Sequence, residues 1–266
     1  MSRILHVLDH SLPLHSGYTF RTRAILKAQQ AAGWEVAGIT GVRQYQHGQS
    51  VNASSETVEG LTFYRTMTEA SGPSPLREWR EVSALADAIV ALHAQWPFDI
   101  LHAHSPALNG LAAHHAAQRL GLPLVYEIRA FWEDAAVGNG TGTEGSAKYR
   151  LTRALENHVV RNADAVAVIC EGLKGDLIDR GVPAAKIVVS PNGVDLDLFG
   201  SPPPADAALA EKLGLTGRDV IGYIGSFYDY EGLDDLITAM PLMQNDARLV
   251  MVGGGPMEQA LRTQAE

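Results

Sequence analysis

Short apolar runs alternate with segments of helical length along the whole chain, and this alternation constrains the fold more than any other feature. Nine runs have the length of strands: Arg3–Leu8, Glu35–Thr40, Gly60–Arg65, Asp99–Ala103, Leu122–Ile128, Ala165–Ile169, Ile187–Val189, Val220–Ile224 and Arg248–Val252. Helices are predicted between and after them, at Tyr18–Ala32, Pro75–Gln95, Leu108–Leu120, Tyr149–Arg161, Gly172–Arg180, Asp206–Leu213, Leu233–Met240 and Pro256–Gln264. This order predicts an α/β fold with parallel sheets.

A turn-forming segment after the seventh run divides the chain. Pro191, Asn192 and Gly193 favour a turn, because proline fixes φ and the other two tolerate positive φ. We therefore predict a Rossmann-like N-terminal domain over residues 1–193, a linker with one helix over 194–217, and a partial second Rossmann-like domain over 218–266. Two strands are fewer than a covered sheet requires, so the second domain is expected to be truncated and the chain a fragment.

Charge and cysteine content exclude several classes of protein. The formal net charge is -9 and no cluster of lysine or arginine interrupts the acidic background. Nucleic acid is therefore not expected as a partner, because binding to a phosphate backbone requires a basic face. A single cysteine, Cys170, rules out an internal disulfide and fits a reducing compartment. No run approaches the roughly 18 apolar residues of a membrane span, so we predict a cytoplasmic protein that is still able to dock on a membrane surface.

The residues that follow each strand are the candidate site, because ligands in open parallel sheets bind beyond the carboxyl ends of the strands. His15, Ser16 and Gly17 follow the first run and lead into a helix. A glycine at a helix N-terminus lets a phosphate approach the backbone N–H groups. A simple tight turn accounts for the same residues.

The fourth run is followed by His104 and Asn109, which are candidate substrate contacts. His102 and His104 share one face of the sheet, because side chains alternate along a strand. Zinc would require a third ligand, and the sequence shows none nearby, so no metal site is predicted.

The densest group of functional side chains lies at the end of the fifth run, in Tyr126–Asp134. Glu127 is a candidate general base, and Arg129 is a candidate phosphate ligand, because a guanidinium can bind phosphate through two hydrogen bonds. The alternative is a salt-bridged loop in which Phe131 and Trp132 pack into the core. The position at a strand end favours the functional interpretation.

Glycine-containing loops follow both strands of the second domain. Gly225 and Ser226 come after one strand and Gly253 and Gly254 after the other, so a ligand can approach the backbone there. Neither loop matches the dinucleotide fingerprint Gly-x-Gly-x-x-Gly, the P-loop or the Gly-x-Ser-x-Gly nucleophile elbow. No cofactor is therefore predicted.

Three motifs in this order resemble one known family. Ser190–Asp195, the segment from Gly225 to Leu233, and Val252–Pro256 are similar to motifs of the retaining glycosyltransferases of family four, which have the GT-B architecture. The string Val-Tyr-Glu-Ile-Arg-Ala-Phe-Trp-Glu-Asp is similar to the subgroup associated with exosortase systems and exopolysaccharide synthesis.

The resemblance implies transfer of a sugar from a UDP- or GDP-linked donor to an acceptor alcohol, with retention of configuration. It implies a nucleotide-sugar as substrate, a glycan or lipid-linked acceptor, and contact with the inner face of the membrane through that acceptor. Gly17, Gly225 and Ser226 correspond to residues near the donor phosphates. His15, Ser16, His104, Asn109, Asn192, Gly253 and Gly254 then border the cleft.

Several positions depart from the family pattern. The strand-end histidine of the family falls at Arg129, which leaves Glu127 and Arg129 as the expected catalytic residues. Ser226 and Glu231 stand where the family often has arginine and lysine. The paired donor-binding glutamates of the family would lie beyond Glu266, so the resemblance implies an intact acceptor side and an incomplete donor site.

Two other functions fit the same pattern. One is a sugar- or nucleotide-binding module without turnover, which the missing arginine and lysine favour slightly. The other is a sugar-nucleotide epimerase on the same architecture. The sequence makes no prediction of the oligomeric state.

Overall fold

The structure is a computed structural model that describes residues 2–47, 53–67, 71–243 and 245–266. It contains two compact units. The first unit comprises Met1–Val137 and Gly142–Asn192, and the second comprises Gly138–Thr141 and Gly193–Glu266. Among the described residues, no helix combines the length and the apolar character needed to cross a bilayer.

The first unit is built on an eight-stranded sheet with the order β3-β4-β2-β1-β5-β6-β7-β8. The strands are β1 (Arg3–Leu8), β2 (Glu35–Thr40), β3 (Ser55–Val58), β4 (Leu61–Arg65), β5 (Ile100–His104), β6 (Leu124–Ile128), β7 (Ala165–Val168) and β8 (Ile187–Val189). Its helices are α1 (Gly17–Ala31), α2 (Leu76–Gln95), α3 (Ala107–Leu120), α4 (Trp132–Gly138), α5 (Ala147–Asn162) and α6 (Glu171–Asp179). Each strand and helix predicted here is present, with ends shifted by at most two residues.

The large sheet is parallel, as predicted, except for one pair of strands at its edge. β3 pairs with β4 in antiparallel register, and every other neighbouring pair in this sheet is parallel. Glu59 and Gly60 join the two strands with φ of 52° and 75°, and positive φ at both positions is typical of the tightest hairpin turns. The hairpin therefore has a local cause in the turn.

The second unit contains α7 (Leu196–Phe199), α8 (Ala207–Lys212), β9 (Val220–Ser226), α9 (Leu233–Ala239), β10 (Arg248–Gly254) and α10 (Glu258–Ala265). β9 and β10 pair in parallel, with Gly225 opposite Gly253. Phe227, Leu233 and Leu261 form its small core. Val220, Ile224 and Val252 are exposed on this sheet.

The two faces of the large sheet differ in character near β1. Leu5 and Val7 of β1 belong to the main core, together with apolar residues of α2 and α3. His6 points the opposite way and contacts Gln29 of α1. His6 is in register with His102, and His104 with Glu127. Because side chains alternate along strands, these four residues share the face that α1 covers.

A second buried polar group lies on the other face of β6, around Tyr126. Glu156 of α5 is fully buried, as is Glu133 of α4. Arg180 donates from Nη1 to Glu133 Oε1 at 2.9 Å, and its guanidinium carbon lies 3.7 Å from the centre of the Phe131 ring. Burial, with a contribution from the charge of Glu133, raises the pKa of Glu156 from 4.5 to about 7.

Replacing Glu156 with glutamine is expected to stabilise the protein above pH 7. A carboxyl group whose pKa is raised on folding contributes stability that is fully present below pH 4.5 and is lost as the pH rises towards 7. Glutamine carries no charge, so Glu156→Gln should add up to about 3 kcal/mol at pH 8 and little at pH 4. Urea unfolding at both pH values measures this difference. The exposed Glu171→Gln is the control, and an equal effect of Glu156→Gln at both pH values would contradict the assignment.

Candidate functional site

The carboxyl ends of β1, β5 and β6 lie side by side in the first unit and bring the predicted residues together. Glu127 and Arg129 follow from β6, and His104 ends β5. The helix α1 begins shortly after β1. This edge of the sheet is where parallel α/β folds place their ligands.

Glu127 is the centre of the group. It is 1% exposed. Its Oε1 accepts hydrogen bonds of 3.0 Å from Nε of Arg21 and from Nε of Arg129. His102 Nε2 lies 3.4 Å from Glu127 Oε2, and His104 Nδ1 lies 3.5 Å from Oε1. A buried carboxylate between two guanidinium groups is therefore the anion of this site.

These neighbours control the protonation of Glu127. Burial alone would raise its pKa, but His104, His102 and Arg129 outweigh burial and hold the pKa well below the ordinary value of 4.5. A general base works best with a pKa near the working pH. The geometry therefore favours Glu127 as a permanent negative charge that positions its neighbours, and its predicted catalytic role stays a prediction.

Arg129 is surrounded by acceptors. Besides Glu127, it donates from Nη1 to the carbonyl oxygen of Tyr18 at 2.7 Å and from Nη2 to Thr22 Oγ1 at 2.9 Å. The same Nη2 lies 2.8 Å from His104 Nδ1, and the guanidinium carbon lies 4.2 Å from the centre of the Tyr18 ring. These contacts connect β6 to the first turns of α1.

Arg21 belongs to this group, although it is not among the site residues predicted from the sequence. Its Nη1 donates to the Pro191 carbonyl oxygen and to Asn192 Oδ1, both at 3.0 Å. Its Nη2 donates to the Ser190 carbonyl oxygen at 2.7 Å. Arg21 is 106 positions from Glu127, so no local pattern pairs them. Asn192 is thus held to the same group through Arg21.

The structure corrects the statement that no third imidazole lies near His102 and His104. His6 supplies it, and the candidate ligand atoms of the three residues lie within 4.8 Å of one another. The strand register that makes them neighbours links residues about a hundred positions apart, which the spacing within one strand does not reveal. The absence of a resident metal stays a prediction.

The predicted residues before α1 form the N-terminus of that helix. The Ser16 side chain accepts a hydrogen bond from the backbone N–H of Thr19 at 3.1 Å and lies 2.7 Å from His10 Nε2. A Cβ built on Gly17 would meet no atom within 4 Å, so there is open space beside this glycine at the helix start. His15 is exposed, and its ring centre lies 5.3 Å from that of Phe20.

Asn109 and His104 are buried, so neither side chain forms part of an exposed binding surface. Asn109 is 4% exposed, and its Nδ2 donates to the His104 carbonyl oxygen at 3.1 Å. His104 has no exposed surface and contacts Arg129 and Glu127 instead of solvent. Asn109 also lines a small cavity at the ends of β1 and β2, together with Asp9, Gly41, Val42, Arg43, Glu81, Val82, Leu85 and Leu108.

The predicted glycines of the second unit have a packing explanation. A Cβ on Gly253 would collide with the carbonyl oxygen of Gly225, and one on Gly254 would come within 3.3 Å of the Glu258 carboxylate. The hydroxyl of Tyr223 donates to the Ser226 carbonyl oxygen at 2.8 Å. Close strand packing therefore accounts for Gly253 without a ligand, and a role of these loops in phosphate binding stays a prediction.

Two family descriptions match nearly the whole chain. The glycosyl transferase 4-like domain matches residues 16–193, and glycosyl transferases group 1 matches residues 206–266. The D-inositol 3-phosphate glycosyltransferase of Xylanimonas cellulosilytica is 34% identical over 164 residues, which are 59% of this chain and 38% of that protein. The chain spans about two fifths of the length of the curated relatives it matches.

Solved structures share the fold at low sequence identity. Sucrose-phosphate synthase from Thermosynechococcus elongatus aligns with a TM-score of 0.70 and 18% identity, covering 98% of this chain and 66% of that one. HepE of Anabaena in complex with UDP aligns with a TM-score of 0.67 and 18% identity, covering 99% and 65%. These likenesses confirm the predicted GT-B type of α/β fold. The glycosyl transferase 4-like domain matches more than half of the chain, and the group 1 match follows it. The chain therefore belongs to the glycosyl transferase 4-like family, and its C-terminal part belongs to the group 1 glycosyltransferases.

Proposed function

We propose that the protein acts in the transfer of a sugar from a nucleotide-sugar to an acceptor alcohol, with retention of configuration. The observation that carries this proposal is the charged group around Glu127 at the carboxyl ends of β1, β5 and β6, beside the open N-terminus of α1. Membership of the family supports it, as does the UDP bound by HepE of Anabaena. The nucleotide-sugar is then a substrate, and the chemistry requires no cofactor.

The open start of α1 is the proposed contact for the donor diphosphate. A helix N-terminus offers unpaired N–H groups and a partial positive charge to an anion. Gly17 leaves room for a phosphate to approach. Arg129 and Glu127 lie behind this turn, where Arg129 holds the Tyr18 carbonyl oxygen, and they keep the helix start in place.

Substitution at Gly17 separates donor binding from folding. Gly17→Asp places a negative charge at the helix N-terminus, which is neutral or favourable for the helix but repels a diphosphate. We expect the free energy of unfolding to stay within about 0.5 kcal/mol, and the KM for the donor to rise about tenfold or more. Gly17→Ala is the matched control. If the KM for the donor were unchanged in Gly17→Asp, the N-terminus of α1 would not be part of the donor site.

We propose that the acceptor hydroxyl binds in the cavity beside Asp9. Arg43 Nη1 lies 3.8 Å from Asp9 Oδ1, and its Nε lies 3.4 Å from Glu81 Oε2. Two carboxylates, a guanidinium and the Asn109 side chain offer both donors and acceptors to a hydroxylated molecule. We propose a glycan or lipid-linked acceptor at the inner face of the membrane, as in the exopolysaccharide subgroup that the sequence resembles.

The donor half is proposed to be larger than the described second unit. Val220, Ile224 and Val252 are exposed, with Ile224 84% accessible, and apolar strand residues of this kind are normally covered. Ser226 and Glu231 give the second unit no cation at the two positions where the family has arginine and lysine. We therefore expect weak donor binding by this chain.

A product assay tests the proposed function. The full protein is incubated with UDP- and GDP-sugars and with inositol phosphate, glycan and lipid-linked acceptors, and the products are identified by mass spectrometry. We expect a glycosylated acceptor and a released nucleoside diphosphate. An epimerised donor without transfer would instead indicate the epimerase, and binding without any product would indicate the binding module.

A further inference from the structure

A line of buried and partly buried hydrogen bonds runs from the candidate site to the last turn of α1. Arg129 Nη2 lies 2.8 Å from His104 Nδ1, and His104 Nε2 lies 2.9 Å from His6 Nδ1. His6 Nε2 lies 2.8 Å from Gln29 Oε1. Both imidazoles have no exposed surface. Gln29 is separated from Arg129 by these two rings and does not take part in the contacts made by Glu127.

The chemistry of the end residues sets the direction of every bond in this line. A guanidinium donates and cannot accept, so His104 Nδ1 carries no proton and accepts from Arg129. A neutral His104 then has its proton on Nε2 and donates it to His6 Nδ1. His6 in turn has its proton on Nε2 and donates it to the amide oxygen of Gln29. A second proton on either ring would make two N–H groups face each other across one of these contacts.

This direction distinguishes the line from a metal site. A metal ion binds imidazole through an unprotonated nitrogen, and the unprotonated nitrogens of His104 and His6 already accept hydrogen bonds. His102 is different, because its Nε2 faces Glu127 Oε2 at 3.4 Å. Two of the three imidazoles at ligand spacing, His6 and His104, are thus used here for hydrogen bonding.

We propose that His6 and Gln29 are positioning residues, which hold His104 in its Nε2–H form. His104 Nδ1 then accepts a hydrogen bond from Arg129, and this bond keeps the guanidinium against Glu127. Without the oxygen of Gln29, the Nε2–H of His6 has no acceptor. When both rings move their proton to Nδ1 together, His6 donates to His104 Nε2 and the Nδ1–H of His104 faces Arg129. His6 then no longer accepts from His104, and the order of the line is lost. The positioning of a transfer site rests on the proposed function, but the hydrogen-bonded order does not.

Burial favours neutral rings along this line. His104 faces Arg129, His102 and Glu127, and His6 faces His102, His104 and Glu127. The Tyr18 ring stands edge-on to His104, with its centre 6.5 Å away. Burial lowers the pKa of His104 to about 3 and also lowers that of His6 well below its ordinary value, with Glu127 opposing in both cases.

Nitrogen NMR of the full chain, labelled with ¹⁵N-histidine, tests the proposal without any assay of activity. We expect His6 and His104 to be neutral Nε2–H rings with no change between pH 5 and pH 8. In Gln29→Leu, we expect both signals to shift towards a mixture of the two neutral forms. Gln29→Glu keeps an acceptor and should keep the Nε2–H form of both rings. Gln30→Leu, on the next position of α1, is the control and should leave both signals unchanged.

Three results would each overturn the proposal: an Nδ1–H or doubly protonated ring at either position, an unchanged His104 signal in Gln29→Leu, or stoichiometric binding of added Zn²⁺ at these rings. If the proposed function also holds, Gln29→Leu should lower kcat between about tenfold and a hundredfold, with recovery in Gln29→Glu. Normal NMR results with no transferase activity in the unchanged protein would count against the function alone.

Discussion

Glu127→Gln is expected to lower the free energy of unfolding of the first unit by about 3–5 kcal/mol at pH 7. The amide removes the negative charge that Arg21 and Arg129 share and leaves two largely buried guanidinium groups without a counter-charge. Because the pKa of Glu127 is lowered on folding, its contribution is present above pH 4.5 and is lost as the pH falls below that value. The cost of the substitution should therefore shrink in acid.

Guanidinium chloride unfolding of the full chain, followed by fluorescence, measures this loss. Glu35→Gln is the matched control, because Glu35 forms an exposed pair with Arg3 at 2.6 Å, and such pairs contribute about 0–1 kcal/mol. If Glu127→Gln cost no more than Glu35→Gln at pH 7, the carboxylate would not be the anchor of the site.

Arg180→Met should have a comparable effect through the group on the other face of β6. The Arg180 side chain is 6% exposed and pairs with Glu133, which has no exposed side-chain surface. Its loss leaves Glu133 buried without a counter-charge and also removes the contact with the Phe131 ring. We expect a loss of about 3–5 kcal/mol at pH 8, and a smaller loss at pH 5, where Glu156, with its pKa of about 7, is protonated.

Thermal unfolding at pH 5 and pH 8 provides the measurement for Arg180→Met. Arg119→Met is its control, since Arg119 and Asp87 form a pair with both side chains about half exposed or more. A melting temperature for Arg180→Met equal to that of the control at pH 8 would show that Glu133 and Glu156 do not depend on Arg180.

The sequence predicts most of the fold because each strand of the first sheet, apart from β3, is an apolar run of its own. β3 was missed because Ser-Glu-Thr-Val is polar and half exposed at the sheet edge. The helix α4 was missed because it is short and begins at Trp132, directly after Phe131, in a segment that resembles a loop. Its early carboxylates, Glu133 and Asp134, are the signal that favours a helix start there.

The candidate site is predicted only in part. Glu127 and Arg129 are two positions apart and stand out in the sequence, and their position at a strand end follows from the fold. Arg21 and His6 approach them only through the sheet register and the packing of α1, across about a hundred positions of chain. Local patterns carry no information on such pairs, so the neutralised carboxylate and the line through His6 required the structure.

The most direct test of the account is the protonation state of Glu127 in the folded protein. The ¹³C shift of its carboxyl group, assigned by comparison with Glu127→Gln, is followed from pH 4.5 to pH 8. The account predicts a constant shift of an ionised carboxylate across this range. A titration with a midpoint between pH 6 and pH 8 would contradict it, and would instead show Glu127 to be a proton acceptor in the manner of a general base.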